Sequence, residues 1–280
     1  YKGIPDNPSA WLYAVAKRRA IDVLRQQQVH EHHHSQISQA LKSEWTLSPT
    51  VNSFFLDDEI EDSQLRMIFA CCHPSIPYES QIALTLKTLC GLNTAEIANS
   101  FLATEETITK RIYHDKKKIR EEKISLDAPI PASMPGRLDV VLHTLYLLFN
   151  EGYNSSHPDH LIRHDLCEEA MRLCLLLINN SVTNTPKVQA LLALMCFQAS
   201  REDARLGDDG GIILLKDQDR SRWSQPLIEK GKFYLEHSAE GNVFSEYHLE
   251  AAIAGCHAKA PSFEKTNWKE IQQLYTILSQ

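Results

Sequence analysis

TAEIANSFLATEETITKRIYHDKKKIREE, residues 94–122, reads as a short helix, a tight turn and a longer helix whose far end is basic. Thr94 is placed to cap the short helix and Thr104 the long one, since a side-chain oxygen there accepts from free first-turn amides. Ile97, Ala98, Leu102 at the turn, Ile108, Ile112 and Ile119 predict the inner face on which the two helices meet. Glu105, Glu106, Thr109, Lys110 and Tyr113 then face outward from the first half of the long helix. Lys116, Lys117 and Arg120 follow one to two turns later. This is the layout of a helix-turn-helix, which lays its second helix in the DNA major groove. The first outward set would lie at base edges, which specify, and the second at phosphates, which position. Glu105 and Glu106 suit that role only by accepting from cytosine amino groups. An ordinary helical hairpin with a solvated basic face fits the same spacing.

Charge separates the two halves of the chain. The whole carries a net charge of −7 over 280 residues. Residues 1–125 hold 15 Lys/Arg against 16 Asp/Glu, net −1, and residues 126–280 hold 14 against 20, net −6. Within 110–123 the sign reverses, with seven cations (Lys110, Arg111, Lys116, Lys117, Lys118, Arg120, Lys123) against three acids. A local basic stripe matters more for DNA than the global sum. The split also suggests that the acidic half could cover the basic helix when DNA is absent.

Toward the N-terminus, PSAWLYAVAKRRAIDVLRQQQ (8–28) predicts a helix with Asn7 as cap and Pro8 at its first position. Leu12, Val15, Ala16, Ile21 and Leu24 form its apolar side, and Trp11 with Lys17, Arg18, Arg19 and Arg25 supplies an aromatic and positive charge. Such a mixture can hold a single strand by charge and stacking; a core tryptophan beside a solvated face is the plainer reading. Residues 29–56, with His30, His32, His33 and His34, look like a linker. From Gln64 the text is helical again, broken at Pro74 and Pro77 and ended at Gly91.

DAPIPASMPGR (127–137) has three prolines and a glycine in eleven residues and marks a domain boundary. Beyond it, helices are predicted over 137–151, 164–179, 186–203, 224–238, 245–259 and 267–279, lengths that suggest a tetratricopeptide-like array. Asp209-Gly210-Gly211 before Ile212–Leu215 hints at a turn or hairpin. The fold class expected is all-α. The seven cysteines are odd in number and form no CxxC pair, as in a cytosolic protein with reduced thiols. The apolar runs are too short to cross a bilayer. Cys71-Cys72-His73 lacks a second ligand pair at zinc spacing, so it reads as a packed helix end and no metal or cofactor is expected. DQDRSRW (217–223) is the most unusual C-terminal text. Asp217, Asp219, Arg220 and Arg222 could form a charge network anchored by Trp223, serving either as a turn or as a docking surface. No nucleophile, phosphate loop or metal ligand accompanies the two aspartates, so no enzyme is expected.

NPSAWLYAVAKRRAIDVLR (7–25) resembles the promoter-melting, −10-reading segment of bacterial RNA polymerase sigma factors of the extracytoplasmic-function class. GLNTAEIANSFLATEETITKRIYHDKKKIRE (91–121) is similar to their −35-reading helix-turn-helix. LRMIFACCHPSIPYESQIALTL (65–86), NEGY (150–153), DQDRSRW and YHLEAAIAGCHAKAP (247–261) resemble a subgroup with a long helical C-terminal extension. The resemblance implies a remnant of sigma region 2 over 1–28, a linker over 29–56, sigma region 4 over 57–125 and a regulatory helical domain over 126–280. It implies −10 contacts by Trp11, Lys17, Arg18, Arg19, Asp22 and Arg25. It implies −35 contacts by Thr104, Glu105, Glu106, Thr107, Thr109, Lys110, Arg111, Tyr113 and Lys117. Its partners would be promoter DNA and core RNA polymerase, with a protein partner or intramolecular docking for the C-terminal domain, in the cytoplasm. Leu102 stands where the family commonly has glycine, and Glu106 where it has a small residue. Residue 1 is Tyr, so the helices that clamp polymerase are expected to precede it in a longer chain. The reading from another class is a helix-turn-helix operator binder with a helical-repeat scaffold for a protein partner.

Overall fold

Pro74, Pro77, Gly91 and the proline-rich segment near 130 cut the chain where the helices end. A computed structural model describes residues 63–124, 131–157, 160–207, 210–240 and 244–280. The N-terminal helix, the linker and the six −10 residues, Trp11 to Arg25, lie outside them. Every regular element among the described residues is helical. The α-helices are α1 (Ser63–Cys71), α2 (Tyr78–Thr88), α3 (Thr94–Ser100), α4 (Glu105–Glu121), α5 (Pro135–Tyr153), α6 (His164–Asn179), α7 (Pro186–Ala199), α8 (Gln225–Ser238), α9 (Glu246–Lys259) and α10 (Trp268–Leu278).

The ends have identifiable causes. Proline stands in the first turn of α5, α7 and α8, where its missing N–H costs nothing. Gly91 takes the left-handed conformation just past α2. Near the predicted hairpin a single antiparallel bridge joins Leu206 to Ile212. From α5 onward, consecutive helices pack pairwise, α5 on α6, α7 on α8 and α9 on α10, and α7 lies at the centre against α5, α6, α8 and α9.

The two halves share one apolar core. Leu65, Ile68, Phe69, Ile82, Leu86, Ile97 and Ile108 belong to the same buried cluster as Val141, Leu142, Leu145, Leu148, Leu173 and Leu191. Helix α5 is the common wall, touching α1, α2 and α3 on one side and α6 and α7 on the other. Polar contacts cross the same seam. Arg137 Nη1 donates to the Phe69 carbonyl at 2.8 Å, satisfying an orphan acceptor in the last turn of α1. The Tyr78 hydroxyl and His143 Nδ1 lie 3.1 Å apart. Arg163 Nη1 meets Glu96 Oε1 at 2.9 Å, with the two side chains 12% and 5% exposed.

Cys72 belongs to this core and Cys71 is buried at the end of α1, and burial pushes the Cys71 thiol up to about 11 and the Cys72 thiol further. NEGY also has a structural account. The buried Glu151 carboxylate accepts from Ser155 Oγ, Ser156 N and Ser156 Oγ, fixing the loop after α5. Gly152 lies in the last turn of α5, one residue before its end, and lets α6 approach. A Cβ there would stand 2.7 Å from the Cys167 amide nitrogen and 2.9 Å from the Arg163 carbonyl oxygen.

Candidate nucleic-acid interface

The short helix α3 is capped by Asn93 rather than Thr94. The Asn93 side chain accepts from Glu96 N at 2.9 Å, and Glu96 Oε2 accepts from Asn93 N at 2.7 Å. This reciprocal capping box satisfies two first-turn donors. Thr104 caps α4 as its position predicts, accepting from Thr107 N at 3.2 Å.

Between the helices the chain turns through Leu102, which has φ 50°. Ala103 N donates to Ala98 O at 2.8 Å and Leu102 N to Asn99 O at 3.1 Å. These are the paired bonds of a helix ending in a left-handed residue, a position where glycine is usual. Its spacing predicts an inner-face position for Leu102, yet the residue is 97% exposed. The left-handed backbone turns its side chain away, and Phe101 and Ala103 pack against the core instead.

On the inner side of α4, Ile108, Ile112 and Asp115 are buried at helical spacing and Ile119 is half-buried. The outer side leaves Glu105, Glu106, Thr107, Thr109, Lys110, Tyr113, Lys116, Lys117 and Arg120 exposed. Tyr113 is 65% exposed. The residues expected at base edges and the later cations therefore do share one open face. Two of the cations carry exposed partners one turn away, Lys110 with Glu106 at 2.6 Å and Lys117 with Glu121 at 3.7 Å. Such surface pairs contribute at most about 1 kcal/mol and are readily exchanged.

Two other cations of α4 are spent on the fold. Arg111 reaches Glu79 of α2 at 2.6 Å and lies 5.5 Å from the Phe101 ring centroid, so it is a strut rather than a free reader. Lys118 Nζ donates to Ser75 O at 2.8 Å. Sequence spacing could not show these long-range partners. The expected cover of the basic helix by the acidic half does not occur among the described residues. The C-terminal helices pack behind, on α1, α2 and α3, and leave the outer face of α4 exposed.

DQDRSRW forms the turns that enter α8. Asp219 accepts from Ser221 N at 2.9 Å and Ser221 Oγ at 2.7 Å, bonds that hold its carboxyl below the usual range. Trp223 is only 3% exposed and stacks under Arg220 at 4.5 Å and Arg201 at 5.6 Å. Arg220 Nη1 donates to the carbonyls of His257 at 2.5 Å and Ala260 at 2.8 Å rather than to an aspartate. Trp223 is thus an anchor beneath the surface, while Asp217 and Arg222 are exposed.

Residues 137–239 match a family of unknown function (DUF6596), a span running from α5 to just past α8. The chain is similar to an uncharacterized protein of Rhizobium meliloti, at 34% identity over 288 residues that cover 99% of this chain and 64% of that protein. The chain thus spans less than two thirds of the relative's length. No solved structure matches it.

Proposed function

We propose that this chain is a sigma factor of the extracytoplasmic-function type, which directs core RNA polymerase to promoters in the cytoplasm. The observation that supports this reading is the open outer face of α4. It presents Thr109, Lys110 and Tyr113 followed by Lys116, Lys117 and Arg120, while Ile108 and Ile112 seat its other side in the core. That division suits a −35 reader, with polar side chains toward base edges and cations toward phosphates. The N-terminal Trp11, Lys17, Arg18, Arg19, Asp22 and Arg25 would meet the −10 region. On this reading the chain carries out no covalent chemistry. The core it shares with α5 makes the C-terminal helices a base that fixes the attitude of α4 toward DNA.

In vitro transcription with the full-length protein, core polymerase and a genomic promoter library tests the proposal. Promoter-dependent transcripts are expected, and they should disappear when Thr109, Lys110 and Tyr113 are replaced together by alanine. Duplex binding without association with core polymerase would overturn the sigma reading in favour of a plain operator binder.

A further inference from the structure

On the far side of the C-terminal helices, a cavity of about 340 Å³ lies between the entry to α8 and the end of α9. Arg220, Trp223, Gln225, Lys232, Lys259 and Ala260 are among the residues that line it, and none of its lining residues is acidic. This is a local concentration of positive charge in the half of the chain that carries net −6.

Three features of the lining lack a counterpart. Arg220 uses Nη1 on the α9 carbonyls, but its Nη2 has no acceptor. The buried Trp223 keeps its indole Nε1–H unpaired. The N-terminus of α8, whose Gln225 and Ile228 face the cavity, has no side-chain cap from Ser224. Buried donors are ordinarily paired, and a guanidinium cannot shed its proton to relieve the cost. Arg201 raises that cost, because it stacks on the same indole as Arg220. The acid whose charge reaches Arg220 is the exposed Glu264, which does not line the cavity. A free helix N-terminus, a half-used guanidinium and an indole N–H each favour an acceptor that bears negative charge.

The negative end of α9 opposes an anion here, but Arg220 Nη1 already occupies its carbonyls. The volume exceeds what a bare oxyanion fills and lies at the small end of ligand pockets, which span roughly 300–1,000 Å³. Ile228, Ala258 and Pro261 supply apolar wall for the remainder. We infer that this cavity is a binding site for a small organic anion, whose phosphate or carboxylate meets the Arg220 side chain and the α8 N-terminus above the buried Trp223 indole, and whose apolar part lies against Ile228 and Pro261. Lys259 would screen the charge at the rim, whereas Lys232 is already held by Glu229 at 2.6 Å. The inference is independent of the role assigned to α4.

Titration calorimetry of the full chain with phenyl phosphate, benzoate and inorganic phosphate tests it. The Trp223 indole N–H resonance provides the site-specific readout. Saturable binding of phenyl phosphate or benzoate is expected, with inorganic phosphate weaker because it leaves the apolar wall bare. Lys259 is exposed at the end of α9, so Lys259→Glu should fold normally and weaken binding by about tenfold or more. Arg220→Gln should abolish it. Absence of saturation by all three probes would overturn the site. So would an affinity in the Lys259→Glu and Arg220→Gln variants equal to that of the native chain. Inorganic phosphate binding as tightly as phenyl phosphate would overturn the organic part of the assignment.

Discussion

Leu102 holds a left-handed backbone with its side chain almost wholly in solvent, so it meets the steric cost of that conformation without a compensating burial. That cost is about 1–2 kcal/mol for an L-residue. Leu102→Gly should therefore stabilise the fold by about 1 kcal/mol, less than the full strain because glycine makes the unfolded chain more flexible. Chemical denaturation checks it, and a loss of stability would show that Leu102 makes a contact the exposed side chain conceals. Gly152 presents the opposite case. Alanine there gains helix propensity of about 1 kcal/mol but drives a methyl into the Cys167 amide and the Arg163 carbonyl, which are backbone and cannot yield. A net loss of about 2 kcal/mol is expected in the same measurement. His164 adds a pH dependence. Its Nδ1 lies 2.6 Å from Glu202 Oε2, and that hydrogen bond raises its pKa above the ordinary value near 6.5. A raised folded-state pKa gives stability that is fully present below the unfolded value and lost as pH rises through the folded one. The stability difference between the native chain and His164→Gln should be fully present below the ordinary imidazole value and shrink as pH rises through the raised folded-state one, and an unchanged difference would sink the assignment.

At the scale of the element, α4 separates cations by what they touch. Lys116 and Arg120 are exposed, whereas Arg111 ties α4 to α2 and Phe101. Replacing Lys116 and Arg120 by alanine should weaken DNA binding evenly across sequences and reduce the salt slope by about 0.9 for each phosphate left unneutralised. Arg111→Ala should lower stability while leaving that slope nearly unchanged. Fluorescence anisotropy across a salt series, run beside thermal melts, distinguishes the two classes. A large slope change in the Arg111 variant would return it to the DNA face. The same helix marks how far the sequence can be read. Apolar spacing and the Pro and Gly breaks place the C-terminal helices within a few residues, because those signals are local. Thr94 against Asn93 as the cap depends on which side chain reaches the Glu96 amide, a one-residue difference that pattern does not resolve. An inward Leu102 fits the spacing and a free Arg111 fits the resemblance, and the structure departs from both for one reason. Each is decided by a partner distant in sequence or by a backbone sign that residue type only hints at.

At the scale of the whole molecule, a proline-rich boundary and a change in net charge suggest two separable parts, yet the apolar cluster runs through both. Glu96 concentrates this coupling. It closes the cap of α3 and, with almost no exposure, pairs with Arg163 just ahead of α6. Removing one partner of a buried pair leaves an uncompensated charge and costs about 3–5 kcal/mol. Arg163→Met should therefore destabilise by roughly 3 kcal/mol, with the α3–α4 pair and the C-terminal helices melting together rather than in sequence. The same logic governs truncation. A chain ending at Ser125 loses α5, the wall on which α1, α2 and α3 rest, and exposes Leu65, Ile68, Phe69 and Ile97. It should show no cooperative transition and no DNA binding, even though every residue of α4 is retained. Calorimetry of the intact chain provides the decisive measurement. One transition across residues 63–280 is expected, with calorimetric and van't Hoff enthalpies in agreement. Two resolved transitions, with a truncated chain that still binds duplex DNA, would show that the DNA-facing helices stand alone and that the shared core only tethers them.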